Sequence, residues 1–165
     1  MTISDITDVI NKLHKDMKKF DKEKLEEIFL RTSPQVSLAM LSWLRLPKLS
    51  ISLNYWTRNH DLNRLNIALM VQEGAKLDQK TKHSIVEKCS KFNKHIVEFT
   101  DKNRGTGGPR HSMVHKALSF DTPYIMTTDD DMLFPTGLLE AQIYILETYP
   151  DVGAVCSWAV PNAAG

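Results

Sequence analysis

The stretch Tyr124-Ile-Met-Thr-Thr-Asp-Asp-Asp131 decides how this chain is read. A short run of strand-forming residues leads directly into three consecutive carboxylates. Carboxylates held side by side repel one another, and folding them together is costly without a compensating cation. On an extended backbone Asp129 and Asp131 point one way and Asp130 points to the other face. Hard divalent cations such as Mg²⁺ and Mn²⁺ take such oxygen ligands and can hold phosphate oxygens at the same time. An aspartate triplet in isolation reads more plainly as a solvated turn capping the next helix, expected over Pro135 to Thr148. Its place at the end of an apolar strand favours a metal and diphosphate site.

Outward from this stretch, short apolar runs alternate with amphipathic segments, the texture of βαβ units and a mostly parallel sheet. Leu49-Ser-Ile-Ser-Leu-Asn-Tyr-Trp56 alternates as a strand, and Ile67–Val71 and His95–Phe99 read as two more. Gln79 to Phe92 has helical spacing, and a helix is expected from Arg110 to about Ser119. Val152 to Trp158 reads as a fifth strand. Only about ten residues separate the first two expected strands, which is short for a crossover helix.

The first 46 residues read differently. Ile3, Ile6, Val9, Ile10, Leu13, Met17 and Phe20 recur at three- and four-residue steps, one apolar stripe of a helix. Asp21 is placed to cap a second helix over Lys22 to Leu30. Ser33-Pro34 is placed to open a third through Val36, Leu38, Met40, Leu41 and Leu44, which Pro47 closes. The expected division is therefore an N-terminal helical extension, residues 1–46, and an α/β domain flanked by helices, residues 47–165. The Leu41-Ser-Trp-Leu-Arg-Leu46 stripe suits packing on a domain better than rest on a membrane surface, though peripheral membrane contact stays open.

The 165 residues carry 21 basic and 20 acidic side chains, a formal net charge of +1. That balance gives no general attraction to nucleic acid, so an anionic ligand has to be captured locally. Cys89 and Cys156 have neither metal-ligand spacing nor a disulfide framework, which points to a reducing compartment. No apolar run reaches membrane-spanning length, and the opening MTISDITDVINK lacks a signal-peptide layout. A cytoplasmic protein without a transmembrane segment is expected.

Two further clusters carry chemistry. In Asp101-Lys-Asn-Arg-Gly-Thr-Gly-Gly-Pro-Arg110 the glycines allow close backbone approach to a ligand, and the following helix N-terminus favours anions. The loop matches neither the P-loop nor the dinucleotide fingerprint, and a plain flexible connection explains it equally well. His111 and His115 stand four apart on the expected helix, a spacing that presents two ligands to zinc. No Glu follows His111 and no third ligand is evident, so ordinary surface histidines are the simpler reading.

Taken in order, these pieces resemble the inverting glycosyltransferases of family 2 and their GT-A fold, over roughly residues 49 to 158. That family opens with a strand leading into a P-x-Y-N-like loop whose aromatic residue packs near the nucleotide base. Ser52 to Arg58 corresponds to it, so Asn54, Tyr55, Trp56 and Arg58 are implied nucleotide-sugar contacts, with Asn54 in place of the proline. The family's V-D-D-G-S becomes Val71-Gln-Glu-Gly-Ala75, which makes Glu73 the base contact with Gln72 beside it. The N-x-G and A-R-N blocks become Asn103-Arg-Gly105 and Pro109-Arg-His111, implying nucleotide contacts from Asn103 and Arg110. Tyr124 to Asp131 matches Y-I-x-x-x-D-x-D closely. Asp129 is then implied to contact ribose or metal, Asp130 to belong to the nucleotide-sugar site, and Asp131 to ligate the metal.

The resemblance implies a glycosyltransferase that binds a nucleotide-diphosphate sugar, a UDP-sugar by preference, through Mn²⁺ or Mg²⁺. Transfer to a glycan or other hydroxyl acceptor would proceed with inversion. In the family the acceptor half and its catalytic base follow the metal site by many tens of residues, so the base is expected beyond Gly165. The rival enzyme class is a sugar-phosphate nucleotidyltransferase, against which stands the lack of an N-terminal Gly-rich stretch with a basic residue. The rival from another class is a non-catalytic nucleotide-sugar-binding module.

Overall fold

A computed structural model describes residues 21–31, 33 and 35–156 of the chain. In chain order its elements are α1 (Lys22–Leu30), β1 (Val36–Trp43), α2 (Leu46–Asn59), β2 (Leu65–Gln72), α3 (Gln79–Cys89), β3 (Lys94–Phe99), α4 (Gly107–Leu118), β4 (Tyr124–Asp129) and α5 (Leu138–Thr148). The strands form one parallel sheet in the order β3-β2-β1-β4. The fold is thus α/β, a parallel sheet with helices, as the texture of the sequence implied. The helix expected over residues 3–20 lies outside the described residues.

The chain divides into two compact units. Thr32–Leu133 contains the whole sheet with α2, α3 and α4. The other unit, Met1–Arg31 with Phe134–Gly165, contains α1 and α5. There Asp21 caps α1 by accepting from the Lys24 amide, and its own N–H donates to Tyr144 Oη at 2.8 Å. Arg31 grips Glu147 with both terminal nitrogens, at 2.5 and 2.9 Å. Leu25, Ile28 and Tyr144 are wholly buried.

The sheet unit corrects two expectations. Val36–Trp43 is the central strand β1, not a third helix, so residues assigned to a helical extension supply the middle of the sheet. The reason is burial on both faces. Val36 to Ser42 are all buried, and such a strand has no alternation by which to tell it from a buried helix. Conversely, Leu49–Trp56 is not a strand but part of α2. The segment fits both periods, and the helical one prevails: Leu49, Ser52, Leu53 and Trp56 are buried at helical spacing, while Ile51 is 58% exposed. Pro47 stands in the first turn of α2, where its missing N–H leaves no bond unmade, so it opens a helix instead of closing one. With both assignments exchanged, β1 and β2 are joined by the 14 residues of α2, long enough for a parallel crossover.

The expected fifth strand is also absent among the described residues. Val152 to Cys156 have no regular structure, and residues 157 and 158 lie outside the description.

One face of the sheet packs on α4. Ala39, Leu41, Ala68 and Met70 meet Met113, Ala117 and Phe120, with Ile96, Val114 and Ile125 at the margin. Leu38, Met40, Ile67 and Leu69, which alternate to the opposite face, are fully buried or nearly so, so both faces are covered. Asp78 caps α3 by accepting from the Thr81 amide. Among the described residues no helix is long and apolar enough to cross a membrane.

Candidate functional site

The order β3-β2-β1-β4 has a consequence for function. After β1 the chain moves outward on one side through β2 to β3, then returns to the other side of β1 as β4. Loops following β1 and β4 therefore diverge, and open parallel sheets hold ligands in the crevice at that switch point, beyond the carboxyl ends of the strands. In this chain the crevice is bounded by Trp43-Leu44-Arg45 and by Asp129-Asp130-Asp131.

The register sets the depth of each aspartate. Asp129 is the last residue of β4 and pairs with Leu41. Asp130 thus falls beside Ser42, whose hydroxyl donates to Asp130 Oδ2 at 2.6 Å. The Arg45 guanidinium forks, donating to Asp130 Oδ1 and, at 2.8 Å, to Asp131 Oδ2. Lys48 adds a longer contact to Asp131 at 3.4 Å. Arg110, in the first turn of α4, donates to Asp129 Oδ1 at 2.6 Å. The mutual repulsion of the triplet is thus met by named cations of the same unit. Burial separates the three carboxylates: the Asp130 side chain is 0% exposed, against 46% for Asp129 and 30% for Asp131.

Among the described residues no three His, Cys, Asp or Glu side chains gather into a metal cage. The donor set nonetheless suits a hard cation. Asp129 and Asp131 are solvent-reaching carboxylates that flank a buried one, and Mg²⁺ is commonly held by one or two carboxylates with phosphate oxygens and water completing its shell. Such a cation would take the place that Arg45 and Lys48 now hold on Asp131.

Backbone strain marks the neighbouring strand ends. Leu44 and Glu73 both adopt left-handed conformations, φ 50° and 57°, immediately after the paired residues Trp43 and Gln72. Non-glycine residues rarely sit there, and such strain concentrates at functional sites. Trp43 is 52% exposed, and its indole N–H donates to Glu73 Oε2 at 2.6 Å. Lys76 donates to Glu73 Oε1 at 3.0 Å. The indole bond first, and the ammonium second, hold the Glu73 carboxyl below the usual glutamate range. Gly74, next in the chain, has no room for a side chain, since a Cβ would meet Phe99 at 2.8 Å.

The glycine-rich loop is tied to the same edge. Buried Gln72 donates to the Gly105 carbonyl at 2.8 Å and accepts from the Arg104 amide at 2.7 Å. Asn103 Oδ1 accepts from the Gly105 amide, and Gly105 takes the positive φ of 73° that this turn needs. Gln72 is therefore consumed in holding the loop.

The structure sets Glu73, Asn103, Arg110 and the three aspartates at the carboxyl end of the sheet, Asp129 as the last residue of β4 and the others on strand-end loops or in the first turn of α4. It does not bring Asn54, Tyr55, Trp56 and Arg58 there as a loop after a strand. All four lie within α2, and Trp56 is wholly buried with its ring 4.4 Å from that of His60. The first strand ends at Trp43 and runs into the loop Leu44-Arg45, a stretch whose apolar spacing also fits the helix expected there. The signal in the sequence is an aromatic residue at the end of an apolar run, shortly before a proline. Ser52 has a different part: its hydroxyl donates to the Met132 carbonyl at 3.0 Å and anchors the loop beyond the aspartates.

Several solved structures share this fold, among them two with a bound nucleotide or nucleotide sugar. A crystal structure of S. aureus TarS 1-349 in complex with UDP superposes with a TM-score of 0.55 at 16% sequence identity, covering 69% of this chain and 32% of that one. The mannosyltransferase PcManGT from Pyrobaculum calidifontis, in complex with GDP-Man and Mn²⁺, superposes with a TM-score of 0.52 at 14% identity, covering 88% of this chain and 44% of that one. The chain spans less than half the length of either. No protein-family model and no curated protein matches the sequence. At these identities the likeness shows a common fold and nothing finer.

Proposed function

We propose that this chain is the donor-binding part of a metal-dependent glycosyltransferase that takes a nucleotide-diphosphate sugar, a UDP-sugar by preference. The observation that carries the reading is the aspartate triplet at the carboxyl end of β4, set beside β1 at the switch point and surrounded by Arg45, Lys48 and Arg110. That both neighbours of this fold were solved with a nucleotide or nucleotide sugar, and one with Mn²⁺, supports it.

On this reading Asp131 and Asp129 hold Mn²⁺ or Mg²⁺, and Asp129 also faces the ribose. When bound, the cation supplies neutralisation of the departing diphosphate. Asp130 stays buried and orients Arg45 through its ion pair, while Ser42 fixes the carboxylate itself. Arg45, Lys48 and Arg110 bring positive charge to the rim, where they face diphosphate oxygens once the carboxylates are shared with a cation. The exposed indole of Trp43 offers a stacking face for the base, and Glu73 accepts a base N–H. Asn103 lines the nucleotide through the loop that Gln72 holds. Transfer to a glycan or other hydroxyl by single displacement with inversion needs a general base, and this reading assigns it to the length of the neighbours that the chain does not span.

Calorimetry with UDP, UDP-sugars and GDP-mannose, in Mn²⁺ and in EDTA, tests the proposal. The expected result is binding in Mn²⁺ that EDTA abolishes, with a uridine ligand preferred. Equal affinity in both media would remove the metal from the reading. No binding of any nucleotide would overturn it entirely.

A further inference from the structure

The donor site leaves unused a pair of side chains on the outer face of α4. His111 and His115 stand one turn apart with their Nε2 atoms 3.0 Å from each other and their rings edge-on at a centroid distance of 4.4 Å. Both residues are exposed, and the opposite side of the helix is fixed by buried Met113 and Ala117.

We propose that His111 and His115 chelate a divalent transition metal of octahedral or tetragonal preference, Ni²⁺ or Cu²⁺, at a site separate from the aspartate triplet. Two imidazole nitrogens that approach this closely share either a proton or a metal. With metal–nitrogen bonds of about 2.0–2.1 Å, a separation of 3.0 Å gives an N–metal–N angle of roughly 91–97°. That is the angle between neighbouring positions of an octahedral or square-planar shell. A tetrahedral zinc centre holds the same atoms about 3.3 Å apart, so the observed spacing lies nearer the octahedral or square-planar arrangement. Each ring would carry its remaining proton on Nδ1 and present the Nε2 lone pair to the ion. No third His, Cys, Asp or Glu joins the pair among the described residues, so water or an outside ligand fills the remaining positions. The helix holds both rings on one face, and the ring that donates its Nε2–H has to carry that proton on Nδ1 instead as the ion replaces the hydrogen bond.

The experiment uses untagged protein carrying Asp131→Asn, so that occupation of the triplet does not contribute. NiCl₂ is titrated by calorimetry, and Cu²⁺ is added for electron paramagnetic resonance. The expected result is one Ni²⁺ site that survives Asp131→Asn and is weakened about tenfold or more by either His111→Ala or His115→Ala. His83→Ala, which removes a lone exposed helical histidine, should leave it unchanged. Zn²⁺ should bind more weakly than Ni²⁺, and the Cu²⁺ spectrum should show coupling to two nitrogens that drops to one in either variant. Ni²⁺ affinity equal in the parent and both histidine variants overturns the proposal, as does a site that disappears with Asp131→Asn alone. Neither outcome bears on nucleotide binding at the sheet edge, which is read separately with Mn²⁺.

Discussion

The Ser42 hydroxyl donates to Asp130 Oδ2 at 2.6 Å, joining the last buried residue of β1 to the middle of the aspartate triplet. The same carboxylate takes the Arg45 guanidinium on its other oxygen. Asp130 is thereby satisfied without solvent. Asp129 and Asp131 are part-exposed, so the three carboxylates should respond differently to the same substitution.

Asp130→Asn and Ser42→Ala are expected to lower stability. Each breaks a buried hydrogen bond to a charged group, a loss of about 1.5–3 kcal/mol. Urea denaturation should show a lower midpoint with an unchanged slope. Wild-type stability in both variants would mean that the buried pair contributes nothing.

Asp131→Asn is expected to abolish metal-dependent nucleotide binding and Asp129→Asn to impair it strongly, both with little change in melting temperature. Their ion pairs are part-exposed, and such pairs contribute about 0–1 kcal/mol. An amide oxygen is also a poorer ligand than a carboxylate for a hard cation. Mn²⁺ titration of the three asparagine variants measures the order. Asp130→Asn harming Mn²⁺ affinity more than both neighbours would reverse the assignment.

Trp43 and Trp56 should separate binding from folding. Trp56→Ala empties a wholly buried site and is expected to cost about 3–5 kcal/mol of stability. Trp43→Ala removes a half-exposed ring and should leave the melting temperature near wild type while weakening nucleotide affinity. Calorimetry and thermal melts on both proteins decide the matter. A Trp43→Ala protein with undiminished affinity would remove the indole from the site.

The Trp43–Glu73 bond should be pH-dependent with a definite sign. Glu73 has its folded pKa depressed below the ordinary 4.5, first by the indole bond and then by Lys76. The bond is therefore present above about pH 4.5 and is lost as pH falls through the lower folded value. An NMR titration of the Trp43 indole N–H should show a midpoint below 4.5 that vanishes in Glu73→Gln. A midpoint above 4.5 would contradict the geometry.

Much of this protein is local and was legible as such. Asp21 and Asp78 cap the helices that follow them because a short acceptor beside free amides acts within three residues. The runs Ile67–Val71, His95–Phe99 and Tyr124–Thr128 announce strands by composition, and all lie within β2, β3 and β4. The aspartates at the end of the last run already carried their repulsion in the sequence, and with it the need for a counter-charge. Residues 36 to 56 were another matter, because Val36–Trp43 has the continuous apolarity shared by buried strands and buried helices, and Leu49–Trp56 fits two periods at once. Only packing chose between them, by placing β1 between β2 and β4 and turning Ile51 outward. The same choice selected the counter-charge. Arg45 and Asp131 are 86 residues apart in the chain, and no local pattern relates them. They meet because parallel pairing sets the ends of β1 and β4 side by side, which only the tertiary structure decides.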